Sequence, residues 1–310
     1  MKLQEWFPDV KIRNKIMGID VPLFAAMWWP EATLERHLAI TYYTVWLFVW
    51  DDHFDGALAD PSLPPTAKEL SAVHAKALDY TSYHLGLGPM DTEPLAPSRY
   101  SRIFAEAGEL FRKSMTGTQR RRFLKQIDFY MECSRAHQSF IERLELPTSR
   151  SQYWQMRSGD SAYLTYCALN EYMMNVSLPI ELIEMDQMQN LWLECMRCII
   201  YVNDLLSLKK EMKASLCSLV PITMTEAECD LPSAVDLLVE GLKTSISIVE
   251  ETTKSMVAGT LPGTKLHQDM QQYMSGMITP LRGNWDWSLS SARYGMGRFV
   301  QQDGSLVIPL

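Results

Sequence analysis

Apolar residues recur along this sequence with the period of an α-helix, and the alternation typical of β-strands is scarce. The breaks between periodic stretches contain proline or glycine, and none is long or polar enough to indicate a domain linker. We therefore predict an all-α fold of about ten or more helices in one domain, residues 1–310. The predicted helical stretches are 31–55, 66–84, 98–115, 117–145, 150–157, 161–176, 180–212, 231–258, 262–279 and 285–300, with breaks at Gly159 and at Pro280 to Gly283.

Charge and composition argue against several classes of protein. A net charge of −8 is unfavourable for a general nucleic-acid binder, so we expect no nucleic-acid partner. The longest nearly apolar run, Leu38 to Trp50, is too short to span a bilayer and suggests a buried helix without stable membrane insertion. The six cysteines lack the spacing of a disulfide scaffold, and the N-terminal residues lack a secretory apolar region. We therefore expect a cytoplasmic protein.

The predicted buried helix ends in a cluster of carboxylates. At about 100° per residue, Asp51 and Asp55 share a helix face and Asp52 flanks it. Carboxylate oxygens suit a hard cation such as Mg²⁺, which uses one or two carboxylates together with substrate phosphates. An exposed acidic helix end is the competing interpretation, although acid at a helix C-terminus opposes the helix dipole unless a cation compensates it.

A second set of oxygen-bearing side chains lies on a later predicted helix. Asn203, Ser207 and Glu211 stand four residues apart, within an arc of about 80°, and can converge on one ion. Lys210 lies on the same stripe and would attract an anionic ligand. A solvated helix face does not require Asn and Ser, which are mediocre helix formers, so this pattern favours a metal site.

Together the two clusters resemble the metal motifs of the class I terpene synthases. The segment Asp51 to Asp55, DDHFD, resembles the aspartate-rich motif, and Asn203 to Glu211 matches the second metal motif at every specified position. The resemblance runs over roughly residues 50–295 in the family's order. It implies the single-domain microbial form of the family, an α-helical bundle around a central apolar cavity.

The resemblance extends to residues that contact diphosphate in the family. Arg157, 46 residues before Asn203, resembles the diphosphate-sensing arginine, and Asp160 and Ser161 resemble the linker and effector that follow it. The Arg293-Tyr294 pair, after a Trp-Ser element, resembles the C-terminal pair that donates to diphosphate oxygens. The resemblance implies diphosphate binding by Arg157, Lys210, Arg293 and Tyr294.

The implied chemistry is ionisation of an isoprenyl diphosphate, followed by cyclisation of the carbocation and release of diphosphate. Three Mg²⁺ ions are implied, held by the aspartates of the first motif and by Asn203, Ser207 and Glu211 of the second. An allylic cation requires a dry cavity, and Phe48 and Trp287 are the candidate aromatic wall, with Trp285 as a further candidate. A homodimer is compatible with the resemblance.

Alternative functions remain open from the sequence. Farnesyl diphosphate, giving a sesquiterpene, is the first choice of substrate, and geranylgeranyl diphosphate, giving a diterpene, is the second. A chain-elongating prenyl diphosphate synthase shares this chemistry but carries a second DDxxD motif, which the Asn-Ser-Glu pattern replaces here. A non-catalytic helical scaffold is the remaining alternative.

Overall fold

The computed structural model describes residues 2–54, 67–89, 91–143, 147–214 and 217–308, with side chains for all of these except 52–54, 67–71, 138–143 and 210–214. Within this part of the chain the regular structure is α-helical, apart from a 3₁₀ turn at Gly297–Phe299 and one antiparallel bridge between Val300 and Leu306. The helices are α1 (Leu3–Trp6), α2 (Val10–Ile19), α3 (Val21–Trp28), α4 (Leu34–Phe54), α5 (Ala67–His84), α6 (Ser101–Ser114), α7 (Gly117–Arg143), α8 (Arg150–Asp160), α9 (Tyr163–Met174), α10 (Ile180–Glu184), α11 (Asp186–Ala214), α12 (Leu219–Glu226), α13 (Leu231–Ala258) and α14 (Lys265–Ser290).

The predicted all-α class is confirmed, and most predicted helices lie within a few residues of their observed positions. Helix α13 has the predicted bounds, 231–258. The stretch predicted as one helix over 180–212 is divided into α10 and α11 at Met185, whose backbone is extended. The periodic pattern therefore located most of the helices, because each buries an apolar stripe.

The predicted break at Pro280 to Gly283 is wrong, because α14 continues through Pro280 to Ser290. A Cβ atom added at Gly283 would overlap the carbonyl oxygen of Met27, so this glycine permits close packing of α14 on α3. Burial of the helix outweighs the hydrogen bond that proline removes from its interior. The helix predicted over 285–300 likewise ends at Ser290.

The predicted helix break at Gly159 is also misplaced. Helix α8 continues to Asp160, and the chain turns at Ala162, whose φ is 57°. A Cβ atom at Gly159 would overlap the sulfur of Cys133 on α7. Gly159 therefore allows α8 to approach α7 closely, and the turn lies beyond it.

Three short N-terminal helices and α12 were absent from the sequence prediction. The Asp9 carboxylate caps α2 by accepting from the amides of Lys11 and Ile12, and Asp20, with φ 54°, separates α2 from α3 and caps the latter. Helices this short show too few turns for a periodic pattern, so their caps were the available signal.

Helix α4 is buried on nearly all sides over residues 39–50, as its apolar sequence predicts, while its first turn is partly exposed. It packs against α3 and α6, with Tyr43 and Trp46 among the largest buried side chains. Helix α11 packs against α13 and α14, and α8 packs against α7. No helix in the described residues has the length and apolar character needed to cross a membrane.

Candidate active site

Asn203 and Ser207 lie on consecutive turns of α11. The Asn203 amide nitrogen donates to the Tyr294 hydroxyl over 2.7 Å, which joins the second motif to the segment after α14. The Ser207 hydroxyl donates to the backbone carbonyl of Asn203 over 2.6 Å. Because its proton is donated to the backbone carbonyl, the serine oxygen can act toward other groups only as an acceptor or a ligand.

Arg157 reaches the same asparagine from the last turn of α8. Its Nη2 lies 3.5 Å from the Asn203 Oδ1, and its Nη1 donates to Asp160 Oδ2 over 2.9 Å. The Arg157 side chain retains 22% exposure, so it is only partly buried. The structure therefore brings together two of the residues that the sequence analysis linked through their spacing.

The surroundings of Arg157 favour its charged form. Burial would lower the pKa of Arg157, but the neighbouring Tyr153 and Asp160 outweigh burial and raise it. Asp204 and Asp51 raise the pKa further. Because Asp51 belongs to α4, its effect on Arg157 indicates that the end of α4 lies near the end of α8.

Asp160 is held by two side chains of α7 as well as by Arg157. The Ser134 hydroxyl donates to Asp160 Oδ1 over 2.9 Å, and His137 Nδ1 lies 2.8 Å from Oδ2. Burial alone would raise the pKa of Asp160, but the hydrogen bond from His137 and the charge of Arg157 lower it below its ordinary value. Asp160 is therefore a buried carboxylate that orients the arginine.

Asp51 lies in the last turn of α4, and its side chain is 38% exposed. Arg293 Nη2 is 3.8 Å from Asp51 Oδ2, and the same guanidinium lies 4.6 Å from the centre of the Phe48 ring. A cation at this end of α4 offsets the unfavourable interaction between the carboxylate and the helix dipole. Arg293 and Tyr294 thus connect the first motif, through Asp51, to the second, through Asn203.

Two of the aromatic side chains predicted for the cavity wall lie beside these charges. The rings of Phe48 and Trp287 are stacked, 6.1 Å apart with an interplanar angle of 19°. Tyr294 packs edge-on against Trp287, and the Trp287 indole nitrogen donates to the carbonyl of Ile19 over 3.0 Å. By contrast, Trp285 packs against a smaller apolar cluster, which Tyr294 also contacts.

The remaining predicted residues divide into two groups. Ser161 follows α8 directly, and its hydroxyl accepts from the amide of Tyr163 over 3.4 Å. Asp55 lies outside the described residues, as do the side chains of Asp52, Lys210 and Glu211. Their predicted contacts with metal or diphosphate therefore stay predictions.

Sequence reasoning missed the residues whose hydrogen bonds hold the candidate site residues in place. Ser134 and His137 gave no local signal, because their role depends on the packing of α7 against α8. Asp204 lay within the second motif, but it is 1% exposed and accepts from the Tyr153 hydroxyl over 2.7 Å. Burial raises the pKa of Asp204, although Arg157 and the hydrogen bonds to Asp204 oppose this effect.

The chemistry of the donor set fits a hard divalent cation. Asp51, Asn203 and Ser207 offer carboxylate, amide and hydroxyl oxygens, the ligand types that Mg²⁺ prefers. Among the side chains that the structure describes, no three Asp, Glu, His or Cys groups cluster at metal-binding distance.

A family model described as "Terpene synthase family 2, C-terminal metal binding" matches residues 42–247, about two thirds of the chain. The chain belongs to this family. It is a terpene synthase, and the metal-binding description of the family implies a divalent cation. The matched range contains both motifs and Arg157, while Arg293 and Tyr294 lie beyond it.

Curated and solved proteins of the same kind resemble most of the chain. "Sesquiterpene cyclase hepA" of Aspergillus oryzae is 27% identical over 308 residues, which cover 97% of this chain and 82% of the relative. The crystal structure of germacradien-4-ol synthase from Streptomyces citricolor has a TM-score of 0.71 at 18% identity, covering 89% of this chain and 85% of that one. The structure of a-eudesmol synthase has a TM-score of 0.80 at 16% identity, covering 93% and 91%. At these identities, the solved structures support the all-α terpene synthase fold.

Proposed function

We propose that this terpene synthase is a Mg²⁺-dependent sesquiterpene cyclase that ionises farnesyl diphosphate, cyclises the carbocation and releases diphosphate. Its relatives support the class of product: besides the fungal cyclase, the "10-epi-cubebol synthase" of Sorangium cellulosum is 24% identical over 289 residues. In enzyme classification it would be a carbon–oxygen lyase acting on diphosphates, of the EC 4.2.3 type.

The observation that carries the proposal is a chain of contacts among three distant segments. Arg157 on α8 meets Asn203 on α11, and Asn203 meets Tyr294 after α14. Each of these residues was predicted to hold metal or diphosphate, and Arg293, beside Tyr294, approaches Asp51 of the first motif. Cations and oxygen ligands therefore surround a common region, as binding of a metal diphosphate requires.

In this proposal one set of site residues binds the metal ions and another set binds the diphosphate. Three Mg²⁺ ions would be held by Asp51 and Asp55, flanked by Asp52, and by Asn203, Ser207 and Glu211. When bound, they would neutralise charge on the diphosphate leaving group. Arg157, Lys210, Arg293 and Tyr294 bind the diphosphate oxygens. Positive charge placed where negative charge develops favours cleavage of the carbon–oxygen bond.

The apolar side of the site would protect the cation. The stacked rings of Phe48 and Trp287 lie next to Arg293 and Tyr294, so they border the position of the departing diphosphate. An aromatic face near a cation contributes about 0.5–2 kcal/mol. Asp160 orients Arg157, and Ser161, at the turn after α8, is proposed to signal diphosphate binding to the reacting chain. Exclusion of water prevents premature quenching.

The proposal is tested by incubating the purified protein with C10, C15 and C20 isoprenyl diphosphates, with and without Mg²⁺. We expect cyclic C15 hydrocarbons or alcohols, detected by gas chromatography–mass spectrometry, only with farnesyl diphosphate and Mg²⁺. Cyclic products from the C20 substrate alone would replace the sesquiterpene assignment with a diterpene one. Absence of diphosphate release with every substrate would refute the proposal. The cytoplasmic location, the homodimer and the single domain remain predictions.

A further inference from the structure

Helices α8 and α11 are joined by two neighbouring polar contacts. Arg157 lies 3.5 Å from Asn203, and one turn earlier the Tyr153 hydroxyl donates to Asp204 Oδ2 over 2.7 Å. Tyr153 and Arg157 are four residues apart and therefore share a face of α8. Asn203 and Asp204 are adjacent in α11, so both contacts depend on how the same turn of that helix is rotated about its axis.

Asp204 also binds the beginning of α12. The Leu219 amide donates to Asp204 Oδ2 over 2.7 Å, and the Ser218 hydroxyl lies 3.4 Å from the same oxygen. Ser218 is the residue before α12 and makes no capping bond of its own through its side chain. Asp204 thus satisfies one of the amides that a helix N-terminus leaves without an intrahelical partner.

These bonds direct Asp204 away from metal ligation. It is 1% exposed, whereas Asn203 is partly exposed, and successive residues of a helix point about 100° apart. A buried carboxylate is tolerated when hydrogen bonds and a nearby positive charge compensate for its lost hydration. Tyr153, the Leu219 amide and the field of Arg157 provide this compensation.

We propose that Asp204 and Tyr153 are positioning residues that fix the rotation of α11, so that Asn203 and Ser207 present their oxygens to the metal while Asn203 stays beside Arg157. The inference rests on the proposed function and adds residues that touch neither metal nor substrate. A small rotation of α11 about its axis would move Asn203 away from Arg157 and would turn the Ser207 hydroxyl through the same angle. Sites of this kind tolerate errors of only about 0.5 Å.

Tyr273 offers a matched control for Tyr153. Its hydroxyl is equally buried and accepts from the Trp192 indole nitrogen over 2.9 Å. This bond also ties α11 to another helix, α14, but it lies about three turns before the metal motif. Tyr153→Phe and Tyr273→Phe therefore each remove one buried hydroxyl that bonds to α11, and only the first lies beside the motif.

The experiment measures ligand binding without turnover. The melting temperature of each variant is followed as Mg²⁺ is added at a fixed concentration of inorganic diphosphate, because a ligand that binds the folded state raises this temperature. For Tyr153→Phe we expect the half-maximal Mg²⁺ concentration to rise roughly fivefold, the factor that corresponds to the net contribution of one typical hydrogen bond. For Tyr273→Phe we expect it to stay within about twofold of the wild-type value, even if the ligand-free protein melts earlier.

Asp204→Asn keeps the shape of the side chain and one acceptor oxygen, so it provides a second variant that should fold. We expect its half-maximal Mg²⁺ concentration to rise as well. The inference is overturned if Tyr153→Phe leaves the Mg²⁺ requirement unchanged, or if Tyr273→Phe raises it equally. If the wild-type protein gains no stability from Mg²⁺ and diphosphate, the proposed function fails together with the inference, and this outcome is distinct from the first two.

Discussion

Arg157 and Asn203, 46 residues apart in the chain, meet with 3.5 Å between Nη2 and Oδ1. The contact joins the end of α8 to the second motif on α11. The other terminal nitrogen of the arginine, Nη1, donates to Asp160. The residue proposed to sense diphosphate and a residue proposed to bind metal are thus in direct contact. Binding of a metal diphosphate would place its oxygens between groups that are already oriented for it.

Removing the second motif should abolish catalysis without unfolding the protein. For Asn203→Ala combined with Ser207→Ala and Glu211→Ala, we expect turnover to fall by about 100-fold or more, because the charge on the leaving group is no longer neutralised. Asp51→Asn should act in the same direction. Diphosphate release reports turnover, and far-UV circular dichroism should remain near wild type. Full activity of the triple variant would refute the metal assignment.

Arg293→Ala should weaken diphosphate binding. The guanidinium lies next to Asp51 and above Phe48, so its loss removes a cation from the site. We expect KM for the isoprenyl diphosphate to rise roughly tenfold, because charge-assisted hydrogen bonds are the stronger ones. The control is Arg282→Ala, which removes an exposed arginine paired with Asp286 on α14. Equal effects of the two substitutions would argue against the role of Arg293.

Changes to the aromatic wall should alter products more than stability. Trp287→Phe keeps an aromatic face beside Phe48 but loses the hydrogen bond to the Ile19 carbonyl. We expect a larger share of acyclic or water-quenched products in gas chromatography–mass spectrometry, whereas Trp287→Ala would cost about 3–5 kcal/mol of stability. The matched control is Trp46→Phe, which is also 2% exposed but packs against Phe104. An unchanged product profile for Trp287→Phe would contradict the assignment of Trp287 to the wall of the cavity.

Asp160 should make the free energy of unfolding depend on pH in the acidic range. Its pKa is lowered in the folded state, so its stabilising contribution is present above the unfolded pKa of about 3.9 and is lost as the pH falls below it. We expect the free energy of unfolding, measured with urea, to fall less between about pH 5 and pH 2, which lies within the range of this transition, in Asp160→Asn than in the wild type. Asp236→Asn, at an exposed position of α13, is the control. The same slope in wild type and Asp160→Asn would contradict this account.

The sequence predicted the parts of the site that its motifs encode. Asn203 and Ser207 share a face because their spacing matches the helical period. Arg157 was found through the resemblance, because the family has an arginine at this distance from the asparagine of the second motif. The buried nature of α4 followed from its apolar composition. Local pattern was sufficient wherever a residue's position depended on its own helix.

Features that depend on contacts between helices were beyond the sequence. Gly159 and Gly283 were interpreted as breaks, but each allows a close approach to a neighbouring helix, which a single sequence does not specify. Ser134 and His137 support Asp160 only because α7 packs on α8. Proline within α14 is tolerated for a related reason, since tertiary packing overrides local preference.

The most direct test of the account is diffraction from crystals grown with Mn²⁺ and inorganic diphosphate, in which anomalous scattering locates the metal. The account predicts metal ions between the end of α4 and α11, coordinated by Asp51 and by Asn203 with Ser207, and diphosphate oxygens within hydrogen-bond distance of Arg157 and Arg293. Ions bound elsewhere, or a diphosphate that contacts neither arginine, would contradict it.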